Sequence, residues 1–227
     1  MQASRLQNYP LSMVSNVVDR TFFPIFSRIN GDGMFLKEQI YRLRRQLYAI
    51  LFPLFSALIC FSKPIIIVIL GDKWVASSSY FQILMLSSFP LLVKALNRNV
   101  LKSLGYTYAI FRIELFSAIF LMLCLVFAFC IRSIYFVVIV VVLCQFFSAF
   151  LSVYYLSKIY LLNIKEQIID IFVFAPCSII PSVLQYCLSG NLLIRIFVYM
   201  LTLFMLVLFY YYRGYREYLF LSILFKK

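Results

Sequence analysis

Seven stretches of this chain stay apolar long enough to cross a bilayer, whose roughly 30 Å hydrocarbon core takes about 17–25 helical residues. They fall near residues 8–27, 47–70, 80–102, 114–131, 134–157, 168–188 and 194–212. Hydrocarbon offers the backbone no water, so such segments close their own hydrogen bonds as helices. The pattern specifies an all-α integral membrane protein, with residues 1–227 as a single membrane domain. The first, third and sixth stretches are the weakest, because each carries ionisable residues.

Composition agrees with that solvent. Hydrophobic residues make up 64% of the 227 and charged residues 13%, against about 45–50% and about 25% in soluble domains. A net charge of +13 would elsewhere suggest nucleic acid. Here the basic residues sit between apolar runs, so no nucleic-acid partner is expected. Histidine is absent, which excludes His-based acid/base chemistry, His metal sites and Ser-His-Asp triads. The six cysteines (Cys60, Cys124, Cys130, Cys144, Cys177, Cys187) show no CxxC spacing and lie in or beside apolar runs. There they read as small hydrophobes. No phosphate-binding glycine motif is present. The expectation is a protein with no catalytic residue, metal or cofactor of its own.

Glycine and proline punctuate the spans in opposite ways. All six glycines (31, 33, 71, 105, 190, 214) fall between spans, where turns and helix C-caps need them, and this leaves no GxxxG face. All seven prolines (10, 24, 53, 64, 90, 176, 181) lie within or at the ends of spans. There they bend a helix and free carbonyls that the bundle must satisfy.

Lys and Arg in alternate loops set the orientation. Thirteen fall on one side (Arg28, Lys37, Arg42, Arg44, Arg45, Lys102, Arg112, Lys158, Lys165, Arg213, Arg216, Lys226, Lys227) and four on the other (Arg5, Lys73, Arg132, Arg195). The remaining four, Arg20, Lys63, Lys94 and Arg98, lie within spans. The asymmetry places the C-terminus in the cytoplasm and the N-terminus outside. Tyr210, Tyr211 and Tyr212 then fit the inner aromatic belt and Trp74 the outer one. The opening segment does not read as a signal peptide, since Asp19 and Arg20 interrupt it. A chain that begins outside without one looks like the later part of something longer.

The run Ser4-Arg5-Leu6-Gln7-Asn8-Tyr9-Pro10, with Val17-Val18-Asp19-Arg20-Thr21-Phe22-Phe23-Pro24-Ile25-Phe26-Ser27-Arg28-Ile29, resembles bacterial lipopolysaccharide and polysaccharide exporters. These belong to the multidrug/oligosaccharidyl-lipid/polysaccharide flippase superfamily. The likeness continues through Pro53, Leu70-Gly71-Asp72-Lys73-Trp74, Phe81-Gln82-Ile83-Leu84 and Leu96-Asn97-Arg98-Asn99-Val100-Leu101, ending near Glu114. It implies a two-lobed architecture of about fourteen helices around a cavity open alternately to each face. Residues 4–29 look like the eighth helix, so this chain would supply helices eight to fourteen, roughly the C-terminal lobe. The first lobe would then be missing and separately encoded. The implied location is the bacterial inner membrane, and the implied substrate is a polyprenyl-pyrophosphate-linked oligosaccharide among membrane lipids.

Ionisable residues inside spans cost about 2.5–3.5 kcal/mol each on insertion scales and are functional candidates. Lys94 and Arg98, four apart, share one helix face with Asn97 beside them. With Arg20 they are the candidate substrate-binding residues lining a cavity. Lys94 lies about 12 Å deeper than Lys102 at 1.5 Å per residue. Asp170 and Glu114 read as acids at helix starts, favoured by the dipole. Between the first two spans, Phe35, Leu36, Ile40, Leu43 and Leu47 recur at helical spacing opposite Lys37, Arg42, Arg44 and Arg45. This stretch reads as an interfacial helix held by anionic headgroups, or alternatively as a collecting surface for anionic lipid. Beside Lys94→Ala and Arg98→Ala, which should each reduce export, Arg44→Ala on this cytoplasmic loop should do little.

The function expected is therefore one lobe of a lipid-linked oligosaccharide flippase. The alternatives are a non-transporting accessory subunit or truncated gene product. A membrane enzyme of the same pathway fits less well, because the outer loops are short and Asp72 is their one acid. The orientation is directly testable: reporter fusions at Asp72, Arg132 and Lys227 should read outside, outside and inside, and a cytoplasmic Asp72 would overturn it.

Overall fold

A computed structural model describes residues 33–131, 133–160, 163–187 and 192–212, which are helical almost throughout and contain no strand. The elements are α1 (Gly33–Cys60), α2 (Ser62–Leu70), a 3-10 turn (Asp72–Ser77), α3 (Ser78–Leu86) and α4 (Ser88–Ser103). They continue as α5 (Thr107–Ile131), α6 (Ile134–Tyr160), α7 (Ile164–Phe174), α8 (Pro176–Cys187) and α9 (Leu192–Tyr212). The first expected span, with Arg20, lies outside the described residues.

Five helical stretches are long and apolar enough to cross a membrane: Lys37–Cys60, Asp72–Ser103, Thr107–Phe129, Ile134–Ile159 and Ile164–Val183. A shorter apolar helical stretch, Leu193–Val207, overlaps the last expected span. The protein is an all-α, multi-pass membrane protein.

Helices break where the sequence places a proline just beyond the break, inside two of these stretches and just after the end of a third. Pro64 and Pro90 are third residues of α2 and α4, and Pro176 opens α8. A proline there removes a backbone donor without needing a partner for it. The ladder closes around each break: Phe61 N donates to Ala57 O at 2.9 Å, Leu91 N to Ser87 O at 3.1 Å and Ala175 N to Ile171 O at 2.9 Å. Hydroxyls take up carbonyls beside them, Ser87 Oγ on Leu84 O at 2.7 Å and Ser178 Oγ on Ala175 O at 2.8 Å.

Gly105 turns α4 into α5. Its φ of 79° is left-handed, where a side chain would be strained. Tyr106 N bonds Leu101 O at 2.9 Å and Gly105 N bonds Lys102 O at 3.2 Å, the six-to-one and five-to-two pair that ends a helix on glycine.

The core joins α1, α4, α6 and α7 through fully enclosed Phe55, Leu101 and Leu156. Tyr48 stacks on Phe52 at 5.0 Å between ring centres, Phe52 meets Phe89 edge-on at 5.0 Å, and Tyr48 meets Phe174 at 6.4 Å. On the far side, Tyr199 of α9 donates to Pro53 O at 2.6 Å and shares a 2.6 Å contact with Ser56 Oγ, tying α9 to α1 at its proline.

The segment expected as a separate interfacial helix is instead the first part of α1. Neither Gly nor Pro interrupts residues 34–52, so the helix runs straight on into the membrane. Its inner face is wider than expected: Ile40, Leu43 and Leu47 lie in or against the core as their spacing implies, and further residues join them. Ile40, Tyr41, Arg44 and Tyr48 are buried while Arg42 is exposed. Arg44 is therefore no headgroup ligand. Its guanidinium lies 4.6 Å from the Tyr41 ring centre and pairs with Asp170 of α7, the side chains of both being 3% exposed. Arg44 Nε donates to Asp170 Oδ2 at 3.1 Å and Arg45 Nε to Oδ1 at 2.6 Å. Asp170 is consequently not a helix-start acid. It is the seventh residue of α7, whose first-turn acid is Glu166, bonded by Asn163 Nδ2 at 3.2 Å.

Breaking a buried pair by removing one partner costs about 3–5 kcal/mol, whereas replacing both by apolar groups is often neutral. Arg44→Met and Asp170→Leu should therefore each lower stability by about that much, and the double variant should recover most of the loss. Chemical unfolding in detergent micelles checks this, and additive losses would contradict it.

Candidate functional site

The stretch Asp72–Ser103 is the most enclosed of the five, 56% buried against 6–39% for the others. Within it α4 buries Leu92, Val93, Ala95, Leu96, Asn97, Asn99, Val100 and Leu101. Along one side Leu91, Lys94 and Arg98 are half-buried and Lys102 is exposed, with Phe89 and Ser103 half-buried elsewhere on the helix. Steps of three and four residues keep the first four in one stripe on the helix, and Lys94 to Lys102 spans about 12 Å of its axis. A nearly buried helix thus presents three cations in file, running from its exposed end toward mid-membrane.

Two side chains position that stripe. Asn97 is buried, and its Nδ2 donates to Ser152 Oγ of α6 at 3.1 Å, while Ser152 donates onward to Ala149 O at 2.7 Å. Asn97, three residues from Lys94 and one from Arg98, lies at the border of the stripe, and its bond to Ser152 turns that border toward α6. Asn99 turns inward too, its Nδ2 on Ala95 O at 2.9 Å. With both amides directed into the bundle, Lys94 and Arg98 are left on the side toward α5.

There Lys94 meets an acid. Its Nζ donates to Glu114 Oε2 at 2.8 Å, with the lysine side chain 15% and the glutamate 46% exposed. Glu114 is the eighth residue of α5, which starts at Thr107, so it does not open a helix as its sequence position suggests. The signal for the pairing lies in the hairpin. Lys94 is eleven residues before Gly105 and Glu114 nine after it, and two antiparallel helices place positions equidistant from their turn at one depth. At 1.5 Å per residue that depth is roughly 10–15 Å from the turn. Beyond Glu114, α5 carries Met122, Val126, Phe127 and Phe129 outward, a surface suited to lipid. Arg112 looks away from the pair, its Nη2 donating to Tyr108 OH at 2.9 Å.

The site is thus a file of basic side chains with an acid at its inner rung. Ammonium and guanidinium groups are the donors that suit anions of spread charge. Among the described residues no group of three His, Cys, Asp or Glu side chains is placed to hold a metal ion.

Comparison with known proteins places the likeness in the first part of the chain. A family model described as "Polysaccharide biosynthesis protein" matches residues 1–79. The teichuronic acid biosynthesis protein TuaB of Bacillus subtilis (strain 168) is 24% identical over 103 residues, covering 45% of this chain. The match spans 21% of that relative's length. No solved structure matches the chain. The two likenesses support a role in polysaccharide biosynthesis or export for this multi-pass membrane protein.

Proposed function

We propose that the chain forms the C-terminal lobe of a flippase that carries lipid-linked oligosaccharide across the bacterial inner membrane, with its C-terminus in the cytoplasm. The observation that carries this reading is the file Lys94, Arg98, Lys102 along one side of a largely enclosed helix. A polyprenyl-linked sugar bears its negative charge at the phosphate. An isolated charge in hydrocarbon costs tens of kcal/mol by Born estimates, so a carrier must offer it fixed positive charge along a wet path. Cations spaced from the membrane surface inward meet that need. A glycosyl- or acyltransferase would instead need an acid or base held against donor and acceptor; of the acids described, Asp170 and Glu114 are ion-pair partners of Arg44, Arg45 and Lys94.

Alternating access needs two lobes moving around a shared midplane site. On this reading a second lobe, from the same protein or another, completes the cavity. The short match to the polysaccharide relative favours a second reading as well, a membrane subunit of the same pathway that does not itself transport.

Export of surface polysaccharide in cells whose own copy is deleted separates the two. Lys94→Ala and Arg98→Ala should each lower export about tenfold, equivalent to about 1.4 kcal/mol of lost anion contact, with membrane levels of the protein unchanged. Export equal to the parent in both would favour the subunit reading and reject the transport path.

A further inference from the structure

Arg112 sits seven residues beyond Gly105 on α5, roughly 10 Å along the helix from that turn at 1.5 Å per residue. A helical side chain leans toward the N-terminus of its helix, here the Gly105 end, so the guanidinium is carried back toward the membrane surface. The structure shows that lean. Nη2 donates to Tyr108 OH at 2.9 Å, and the guanidinium carbon lies 4.4 Å from the Tyr108 ring centre. Tyr155 of α6 approaches the same guanidinium. Arg112 is thereby held at the seam between α5 and α6.

Lys158 belongs to the same patch. Arg112 lies 19 residues before the end of α5 and Lys158 24 residues after the start of α6. In this antiparallel pair the lysine is therefore nearer the surface by about 7 Å of helix, which the backward lean of Arg112 makes up. Lys158 follows Tyr154 by four residues and Tyr155 by three, the spacing of side chains that share a face, and those two rings meet edge-on at 5.8 Å. Arg112, Lys158, Tyr108 and Tyr154 are all exposed. Among the described residues neither cation pairs with an acid; Asp170 and Glu114 serve Arg44, Arg45 and Lys94. Two tyrosyl oxygens stand against five guanidinium N–H donors, so the patch holds more donors than its described protein neighbours accept.

We propose that this α5–α6 patch binds the headgroup of an anionic phospholipid: the phosphodiester takes the open N–H groups of Arg112, Lys158 meets its net negative charge, and Tyr108 and Tyr155 hold the guanidinium in place. Basic pockets between transmembrane helices at headgroup depth recognise such lipids, and a guanidinium fork fits phosphate better than a point charge does. A zwitterionic headgroup would bring its own ammonium against Lys158. The helix below suits the rest of the molecule. Leu115, Phe116 and Ile119 are exposed and lie three, four and seven residues beyond Arg112, on its face of α5, so an acyl chain can run down the helix from the headgroup. The site lies apart from the Lys94 stripe and stands whether or not the chain transports.

The test is native mass spectrometry of the full chain in detergent micelles supplied with equal amounts of phosphatidylglycerol and phosphatidylcholine of matched chains. The parent should retain phosphatidylglycerol about tenfold better. Arg112→Met should remove most of that preference, and Arg112→Lys should restore only part of it. Tyr108→Phe keeps the ring and loses the hydroxyl that orients the guanidinium; it should lower the preference about threefold, as should Lys158→Met. Arg42→Met, which removes an exposed cation of α1, should leave it unchanged. Excess glycerol phosphate should not displace the lipid; displacement would make a soluble phosphate ester the occupant and overturn the proposal. A parent without preference rules the site out, and so do Arg112→Met and Lys158→Met variants that bind like the parent. An equal loss in Arg42→Met also rules it out, since the preference would then follow net charge and not this patch.

Discussion

The seating of α4 against α6, fixed by Asn97 on Ser152 and by the surrounding Leu96, Val100 and Leu101, determines what every nearby polar group does. In hydrocarbon an unpaired amide has no water to turn to, so the Asn97 bond sets the rotation of its helix as well as joining two helices. Once that rotation is set, Lys94 and Arg98 fall on the open side, and the Gly105 hairpin returns α5 with Glu114 at the same depth. The ion pair, the file of cations and the outward apolar face of α5 are consequences of one helix's orientation. Where Pro64, Pro90 and Pro176 follow a break in a helix, backbone hydrogen bonds close around it.

The same solvent explains why two ion pairs in one bundle behave differently. Where α1 enters the membrane its helix has no reason to stop, so Arg44 is carried inside and must be neutralised there. Asp170 answers it from α7 with Arg45 as a second donor. A charge enclosed on all sides can serve only as a fastener. Glu114, nearly half open, is not enclosed in that way.

The helical, membrane-embedded class was legible from hydropathy alone, and Gly71 and Gly105 stand at helix ends as their absence from the apolar runs implied. The depth order Lys94, Arg98, Lys102 was legible too, because helical rise needs only spacing. Facing was not. Arg44 sits among basic residues that read as one surface, yet Arg42 is exposed and Arg44 buried; what separates them is Asp170, 126 residues away, and no local pattern records a distant carboxylate. The engagement of Asn97 by Ser152 was hidden in the same way, because that partner lies 55 residues away on α6. Glu114 and Asp170 were both misplaced because apolar runs mark where hydrocarbon begins, whereas helices begin a turn or two earlier, at Thr107 and Ile164.

The central claim is that α4 has one wet side within the membrane and a dry remainder. It is tested most directly by water-borne thiol chemistry on single cysteines, with Cys60, Cys124, Cys130, Cys144, Cys177 and Cys187 all replaced by alanine. A membrane-impermeant methanethiosulfonate cation, applied to inside-out vesicles, should modify Lys102→Cys, Arg98→Cys and Lys94→Cys in falling order of rate. Asn97→Cys and Leu101→Cys should stay unmodified. If Lys94→Cys is as inert as Asn97→Cys while Lys102→Cys reacts, the side of α4 toward Glu114 is dry and holds no path for an anion.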